Sequence, residues 1–316
     1  MKEQFAMDVE AGLTKQPKHL SSKYFYDEVG SSLFSKIMKL PEYYLTDAEF
    51  EIFQQQGNDI IETLDIQKNQ PFELIELGAG DGYKTIELLK ALEVEKFNYQ
   101  YIPIDISKKA LDQITHNVKV QLPNKEISPK KGDYFHILKE LKESSVPKVI
   151  LFLGSNIGNM PDEVAESFLL NLSNSLSKGD KLILGADLMK SKDIVLPAYN
   201  DSEGVTSAFN LNLLTRINRE LDADFDIEKF EHAPEYDEVE GVAKSAIRSK
   251  TAQTVDVKMM DLKVSFEAGE KIHTEISRKY NDEIINKISL HSGLKIIGKL
   301  RDSHRYFADY ILEKQS

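Results

Sequence analysis

The stretch Glu76-Leu77-Gly78-Ala79-Gly80-Asp81-Gly82 decides the fold. It closes an apolar run, Phe72 to Leu77, and opens a helical pattern over residues 84–92. A strand that passes into a helix through glycines marks the start of a βαβ unit. Glycine permits the tight turn and lets backbone amides approach a ligand. Outward from this point strand and helix keep alternating. Residues 99–104 read as a second strand ending at Asp105, and a helix follows from Lys108. Residues 148–153 are a nearly continuous apolar run, the texture of a strand buried on both faces of a parallel sheet. Val164, Phe168, Leu169, Leu172 and Leu176 recur at helical spacing, and residues 181–184 form a further strand. The alternation over residues 70–187 predicts an α/β protein with a doubly wound, Rossmann-like sheet.

The flanks have another texture. Residues 190–280 carry one helical stripe, Phe209, Leu213, Leu214 and Ile217, then acidic sequence, then alternating segments at 242–247 and 254–260. After a helix near 282–291, residues 294–300 and 305–312 read as two closing strands. The expected organisation is a sheet domain of residues 50–189 plus 281–316. A second, substrate-binding domain of residues 1–49 plus 190–280 would combine the N-terminal helices with an insertion before the last strands. Within the first part, Thr46-Asp47-Ala48-Glu49 has the pattern of a capping box, with Thr46 and Glu49 bonding reciprocally to each other's amides.

Composition narrows the partners. A net charge of −12 disfavours phosphate backbones, so a small-molecule substrate is expected rather than nucleic acid. The absence of cysteine excludes thiolate catalysis, disulfides and cysteine-ligated zinc, and no metal is expected. No apolar run approaches the roughly 18 residues that span a bilayer. A cytoplasmic monomer without membrane attachment is therefore expected.

Three glycines at alternate positions differ from the dinucleotide pattern G-x-G-x-x-G, because the third comes one residue early and Tyr83 stands where Gly or Ala is wanted. The spacing resembles the first motif of class I methyltransferases, and so implies S-adenosyl-L-methionine as cofactor. Gly78 and Gly80 would lie in the loop that meets its amino-acid part. Asp105, at the end of the second strand, can accept from both ribose hydroxyls. Asp133, in Gly132-Asp133-Tyr134-Phe135, falls at the next loop on the same side, where such enzymes often hold the adenine amino group. Acids at strand ends are also common in any α/β protein.

A longer set of segments resembles the L-histidine Nα-methyltransferase family of ergothioneine biosynthesis. These are Lys23-Tyr24-Phe25-Tyr26-Asp27, Leu40-Pro41-Glu42-Tyr43-Tyr44, Leu153-Gly154-Ser155-Asn156-Ile157-Gly158-Asn159, Ala208-Phe209-Asn210-Leu211-Asn212, Arg216-Ile217-Asn218-Arg219-Glu220-Leu221 and Ile272-His273-Thr274-Glu275. The resemblance implies trimethylation of the histidine α-amine to hercynine. It implies that Gly78, Lys84, Asp105 and Asp133 contact the cofactor. Asn159, Tyr199 and a tyrosine of the pair Tyr43 and Tyr44 would hold the substrate's amine and carboxylate, and Glu275 and Ser277 its imidazole.

These residue types suit the chemistry. Methyl transfer from a sulfonium needs an unprotonated amine and positioned reactants, with no covalent intermediate. Asn159 and the tyrosines are neutral, so they do not favour the ammonium form as a nearby anion would. No residue is assigned as catalytic base. Each position also has a plainer use: Asn159 as the cap of a helix starting near Asp162, Tyr43 and Tyr44 as core aromatics, Lys84 as a surface lysine, Glu275 and Ser277 as one solvated strand face. Several positions depart from the family's habit. Asn156, Ile276 and Arg278 replace its usual threonine, asparagine and tyrosine, and either Lys244 or Ser245 falls where a methionine usually lines the pocket. An N-methyltransferase for another amino acid or amine therefore stays open as an alternative. So do a catalytically inactive cofactor-binding interaction protein and, further off, an NAD-dependent oxidoreductase.

Overall fold

The computed structural model describes residues 2–142 and 146–315. The chain divides into two compact units, Leu45–Met189 with Arg278–Ser316 and Met1–Tyr44 with Lys190–Ser277. Residues 45–49 and 278–280, expected in the second domain, lie in the sheet unit.

Among the described residues the sheet unit has seven strands: β1 (Phe72–Leu77), β2 (Tyr99–Asp105), β3 (Lys130–Lys131), β4 (Lys148–Phe152), β5 (Lys181–Asp187), β6 (Leu294–Arg301) and β7 (Phe307–Lys314). Their order across the sheet is β3-β2-β1-β4-β5-β7-β6. Strands β1 to β5 pair in parallel, while β7 runs antiparallel to both β5 and β6. This is the doubly wound α/β sheet that the alternation predicts. Every residue of β1, β4 and β5 is buried, which accounts for their largely apolar texture, with Glu76 of β1 a buried exception. Successive residues of β1 feed opposite layers: Phe72 and Leu74 join one core cluster, Ile75 and Leu77 the other. The chain leaves β1 toward β2 and β3, then crosses back to β4 on its other side. The ends of β1 and β4 thus flank a topological switch point, where open α/β sheets bind their ligands.

In the other unit the helix Val205–Leu221 buries its expected stripe, Phe209, Leu213, Leu214 and Ile217, against Phe5, Val9 and Phe25 of the N-terminal helices. It also packs on a small sheet in which the strand Val242–Ser249 lies between Lys271–Arg278 and Phe230–His232. A hairpin, Gln253–Val257 with Leu262–Phe266, adds Val255, Val257, Val264 and Phe266 to the same core. No helix among the described residues is long and apolar enough to cross a membrane.

Candidate active site

In the sheet unit, the predicted cofactor residues Gly78, Gly80, Asp105 and Asp133 lie at or just past the carboxyl ends of β1, β2 and β3. Gly78, Gly80 and Gly82 all have left-handed backbones, with φ of 72°, 56° and 71°. Their reasons differ. A Cβ on Gly82 would lie 2.6 Å from the Ile114 side chain, so the loop rests directly on the helix Lys108–Gln121. A Cβ on Gly80 would meet nothing within 4 Å. There the left-handed turn is the requirement, and the space beside it is open. The Asn117 side chain fixes the same loop by donating to the Asp81 carbonyl at 2.9 Å.

Asp105 accepts from the Ser107 amide at 2.7 Å through Oδ1, and its Oδ2 faces the Gly80 amide at 3.4 Å. Asp133 caps the helix Tyr134–Leu141, its Oδ1 accepting from the amides of Phe135 and His136 at 3.0 and 3.2 Å. Its structural use is thus a real one, and it occupies one oxygen. The Tyr134 hydroxyl is pushed up in pKa by burial and then by the charges of Asp133 and Asp105, so both acids act on one locality. Beneath the loop, Glu76 is buried and accepts from Thr85 Oγ1 at 2.6 Å and from the Tyr101 hydroxyl. Burial pushes its carboxyl up to about 7, against the pull of these two hydroxyls and of Lys84.

Lys84 is not a surface lysine. Its ammonium pairs with Glu49, whose side chain is fully buried. Both Glu49 oxygens accept from the Gly154 amide, at 2.9 and 3.0 Å. A Cβ on Gly154 would stand 3.5 Å from Lys84 Nζ. The capping box read into residues 46–49 is therefore corrected. The helix starts at Tyr44, two residues before Thr46, and the Glu49 carboxylate turns inward to partners distant in sequence. A carboxylate driven inside by its apolar neighbours Ala48 and Ile52 must find strong donors, and a cationic lysine outbids one local amide.

Asn159 ends a short 3₁₀ turn, Asn156–Asn159, and is exposed. It does not cap the following helix, whose N-cap is Pro161 with no side-chain bond. Gly158 in this turn must be glycine, because a Cβ would lie 2.7 Å from the Arg278 carbonyl oxygen. Arg278, which stands where the family usually has tyrosine, pairs with Asp162 through Nε at 3.1 Å.

The other unit holds the remaining predicted residues. Tyr199 ends the helix Lys192–Ala198, and its hydroxyl donates to Ser277 Oγ at 2.8 Å. Its carbonyl accepts from His232 Nε2 at 2.8 Å, and burial lowers the pKa of that imidazole. Glu275 is half-buried and Ser277 buried. Along Lys271–Arg278 the buried positions are 272, 274 and 277, so the alternation slips by one residue and the expected solvated face does not form. Tyr43 packs edge-on against Phe34, with ring centroids 6.3 Å apart, and belongs to the margin of the core. Tyr44 instead accepts from Lys190 Nζ at 3.0 Å. On the strand Val242–Ser249, Lys244 points to solvent and Ser245 inward, so the serine is the residue presented to the interior.

Tyr26, in the segment Lys23–Asp27, has no role in the sequence reading, yet Glu275 acts on its hydroxyl. Its ring meets Phe34 and Phe209 edge-on at 5.5 and 5.7 Å. It keeps 45% of its surface accessible, yet its hydroxyl is raised well above the usual phenol range by burial, then by Glu275 and Tyr43. The charges of Glu275 and Tyr43 thus both act on this one hydroxyl.

The sequence model of a family described as histidine-specific, S-adenosylmethionine-dependent methyltransferases matches residues 5–314. The chain belongs to that family. This methyltransferase is 38% identical to the histidine N-alpha-methyltransferase of Mycolicibacterium smegmatis, over 91% of its own length and 88% of the relative's. The histidine N-alpha-methyltransferase of Mycobacterium tuberculosis is 37% identical over 91% of this chain and 88% of its own. An L-tryptophan methyltransferase of Psilocybe serbica is 27% identical over 92% and 87%. The methyltransferase uses S-adenosylmethionine, and the class I reading of its glycine loop stands over the dinucleotide one.

Proposed function

We propose that this methyltransferase acts on the α-amine of L-histidine and adds three methyl groups. The observation that carries the substrate is Glu275, a half-buried carboxylate whose charge acts on the Tyr26 hydroxyl, as Tyr43 does, and which stands two residues before Ser277 on one strand. A carboxylate suits an imidazole, which can meet it as an N–H donor or as a charged imidazolium, whereas an indole offers one N–H and never a cation.

The sheet unit's residues fit the cofactor. The open side of Gly80, the acceptor Asp105 and the ammonium of Lys84 match a ligand with a ribose diol and an amino-acid carboxylate. Gly78 and Gly80 would take the amino-acid part, Asp105 the ribose hydroxyls, Asp133 the adenine amino group through its second oxygen. When bound, the cofactor supplies a methyl group on a sulfonium, which the amine lone pair takes as the carbon–sulfur bond breaks. The protein's part is orientation. Asn159 and the tyrosines are neutral, so none of them adds an anion that would favour the ammonium over the neutral amine. Each round releases one proton, three in all from the starting ammonium, and solvent is the acceptor in this reading.

Titrating histidine and other amino acids calorimetrically into the protein saturated with S-adenosylhomocysteine tests this. Heat with histidine alone is expected. Heat with another amino acid and none with histidine moves the substrate. Silence with all of them removes the amino-acid reading.

A further inference from the structure

Strand β7 carries an acid that the reading above does not use. Asp309 is fully buried, and neither of its carboxylate oxygens meets a hydrogen-bond donor among the described residues. Its register partner on β5 is Gly185. A Cβ on Gly185 would collide with Glu49 Oε1 at 2.2 Å, so this glycine is the gap through which the Glu49 carboxylate reaches the sheet. Two buried carboxylates therefore share one space, with Lys84 the only lysine among the described residues that acts on Asp309.

They cannot both be charged there. Glu49 already accepts from Lys84 and from the Gly154 amide, which stabilise its anion. Asp309 has neither. Burial pushes its carboxyl well above the usual carboxylate range, the Glu49 charge pushes it further, and only Lys84 opposes. The proton thus sits on Asp309, which gives that residue the donor its surroundings lack and points it at Glu49. With Asp309 neutral, Glu49 and Lys84 balance. A second anion would leave the cluster net negative, directly beside the place assigned to the cofactor's carboxylate.

We propose that Asp309 is a positioning residue for the cofactor site: as a neutral acid it donates to Glu49 and so fixes the carboxylate that anchors both Lys84 and the Gly154 amide. The proposal rests on Lys84 taking the cofactor, so Lys84 is tested beside it. Binding of S-adenosylhomocysteine is measured by calorimetry for the parent, Asp309→Asn, Asp309→Ala and Lys84→Gln, with histidine binding at saturating cofactor as a second readout. Asp309→Asn keeps a neutral donor and is expected to stay within about twofold of the parent. Asp309→Ala is expected to weaken the cofactor about tenfold, the order of one hydrogen bond to a charged group, with histidine binding unchanged. Toward alkaline pH the parent should lose cofactor affinity faster than Asp309→Asn. The ligand's amine titrates equally in both, so their difference reads the buried proton, even where Asp309→Ala fails to fold. Asp309→Ala binding like the parent while Lys84→Gln does not, or Asp309→Asn as weak as Asp309→Ala, would overturn the inference. Superimposable pH curves would do the same. Parent-like binding by Lys84→Gln would sink the role of Lys84, and the inference with it.

Discussion

The hydroxyls of Tyr199 and Ser277 are hydrogen-bonded to each other at 2.8 Å, the phenol donating. The family resemblance gives these residues to opposite ends of the substrate, yet here they form one polar edge. With its proton committed, the phenol can act toward a third group only as an acceptor, which suits an N–H better than a carboxylate. Tyr199→Phe and Ser277→Ala should each weaken histidine binding by roughly three- to tenfold. The double variant should lose less than the product, because each single change already breaks the shared bond. Strictly multiplicative losses would show that the two act apart.

Glu275→Ala should raise the histidine KM by more than about tenfold, since a hydrogen bond involving a charged group is worth roughly 1.5–3 kcal/mol. The same change removes a charge that lifts the Tyr26 hydroxyl, so the Tyr26 phenol should titrate at lower pH in the variant. Steady-state kinetics and an ultraviolet pH titration read the two effects. An unchanged KM would take Glu275 out of the site.

Asp105→Ala should weaken S-adenosylhomocysteine by about tenfold or more while leaving histidine affinity at saturating cofactor near the parent value. Asp105 also faces the Gly80 amide, so some of the loss comes from a looser glycine loop. Equilibrium binding of the cofactor product settles it, and normal affinity would remove the ribose assignment.

Glu76 gives a pH signature. Its carboxyl lies near 7 in the folded protein against 4.5 for an ordinary glutamate. The folded state therefore binds more protons between these values, and stability from this group falls as pH rises from 4.5 toward 7, then levels. Glu76→Gln removes the ionisation and should flatten that fall. At pH 8 it should gain ~1–3 kcal/mol, the shift converted at about 1.4 kcal/mol per pH unit less one reoriented hydrogen bond. Denaturant unfolding at pH 5 and pH 8 measures it, and a variant with the parent's pH slope would refute the assignment.

The central strands were legible in the sequence because burial on both faces leaves little but apolar residues, as in Lys148–Phe152. The glycine loop was legible because only glycine serves at three left-handed turns so close together. Strand β3 was not, since two lysines carry no pattern. Glu49 was misread because Thr46-Asp47-Ala48-Glu49 satisfies a local rule, and nothing nearby reveals that Lys84 and Gly154 compete for the same carboxylate. Asp309 and Gly185 lay hidden for the same reason, their meaning existing only across the β5–β7 register. Tyr26 lies in the segment Lys23–Asp27, but without Glu275 acting on it a tyrosine between a phenylalanine and an aspartate reads as packing.

The place of β7 has a consequence for how the protein is made. It is the last of the seven strands to leave the ribosome, yet it lies inside the sheet, between β5 and β6. Until it arrives, β6 has no neighbour to pair with and β5 presents an open edge, with the whole of residues 188–306 already synthesised between β5 and β7. An unpaired strand edge invites pairing with other chains, and contacts this distant in sequence form slowly. The nascent enzyme is therefore most prone to aggregate just before β7 emerges, and a chain stalled short of Phe307 holds every residue of the glycine loop without the strand that closes its support.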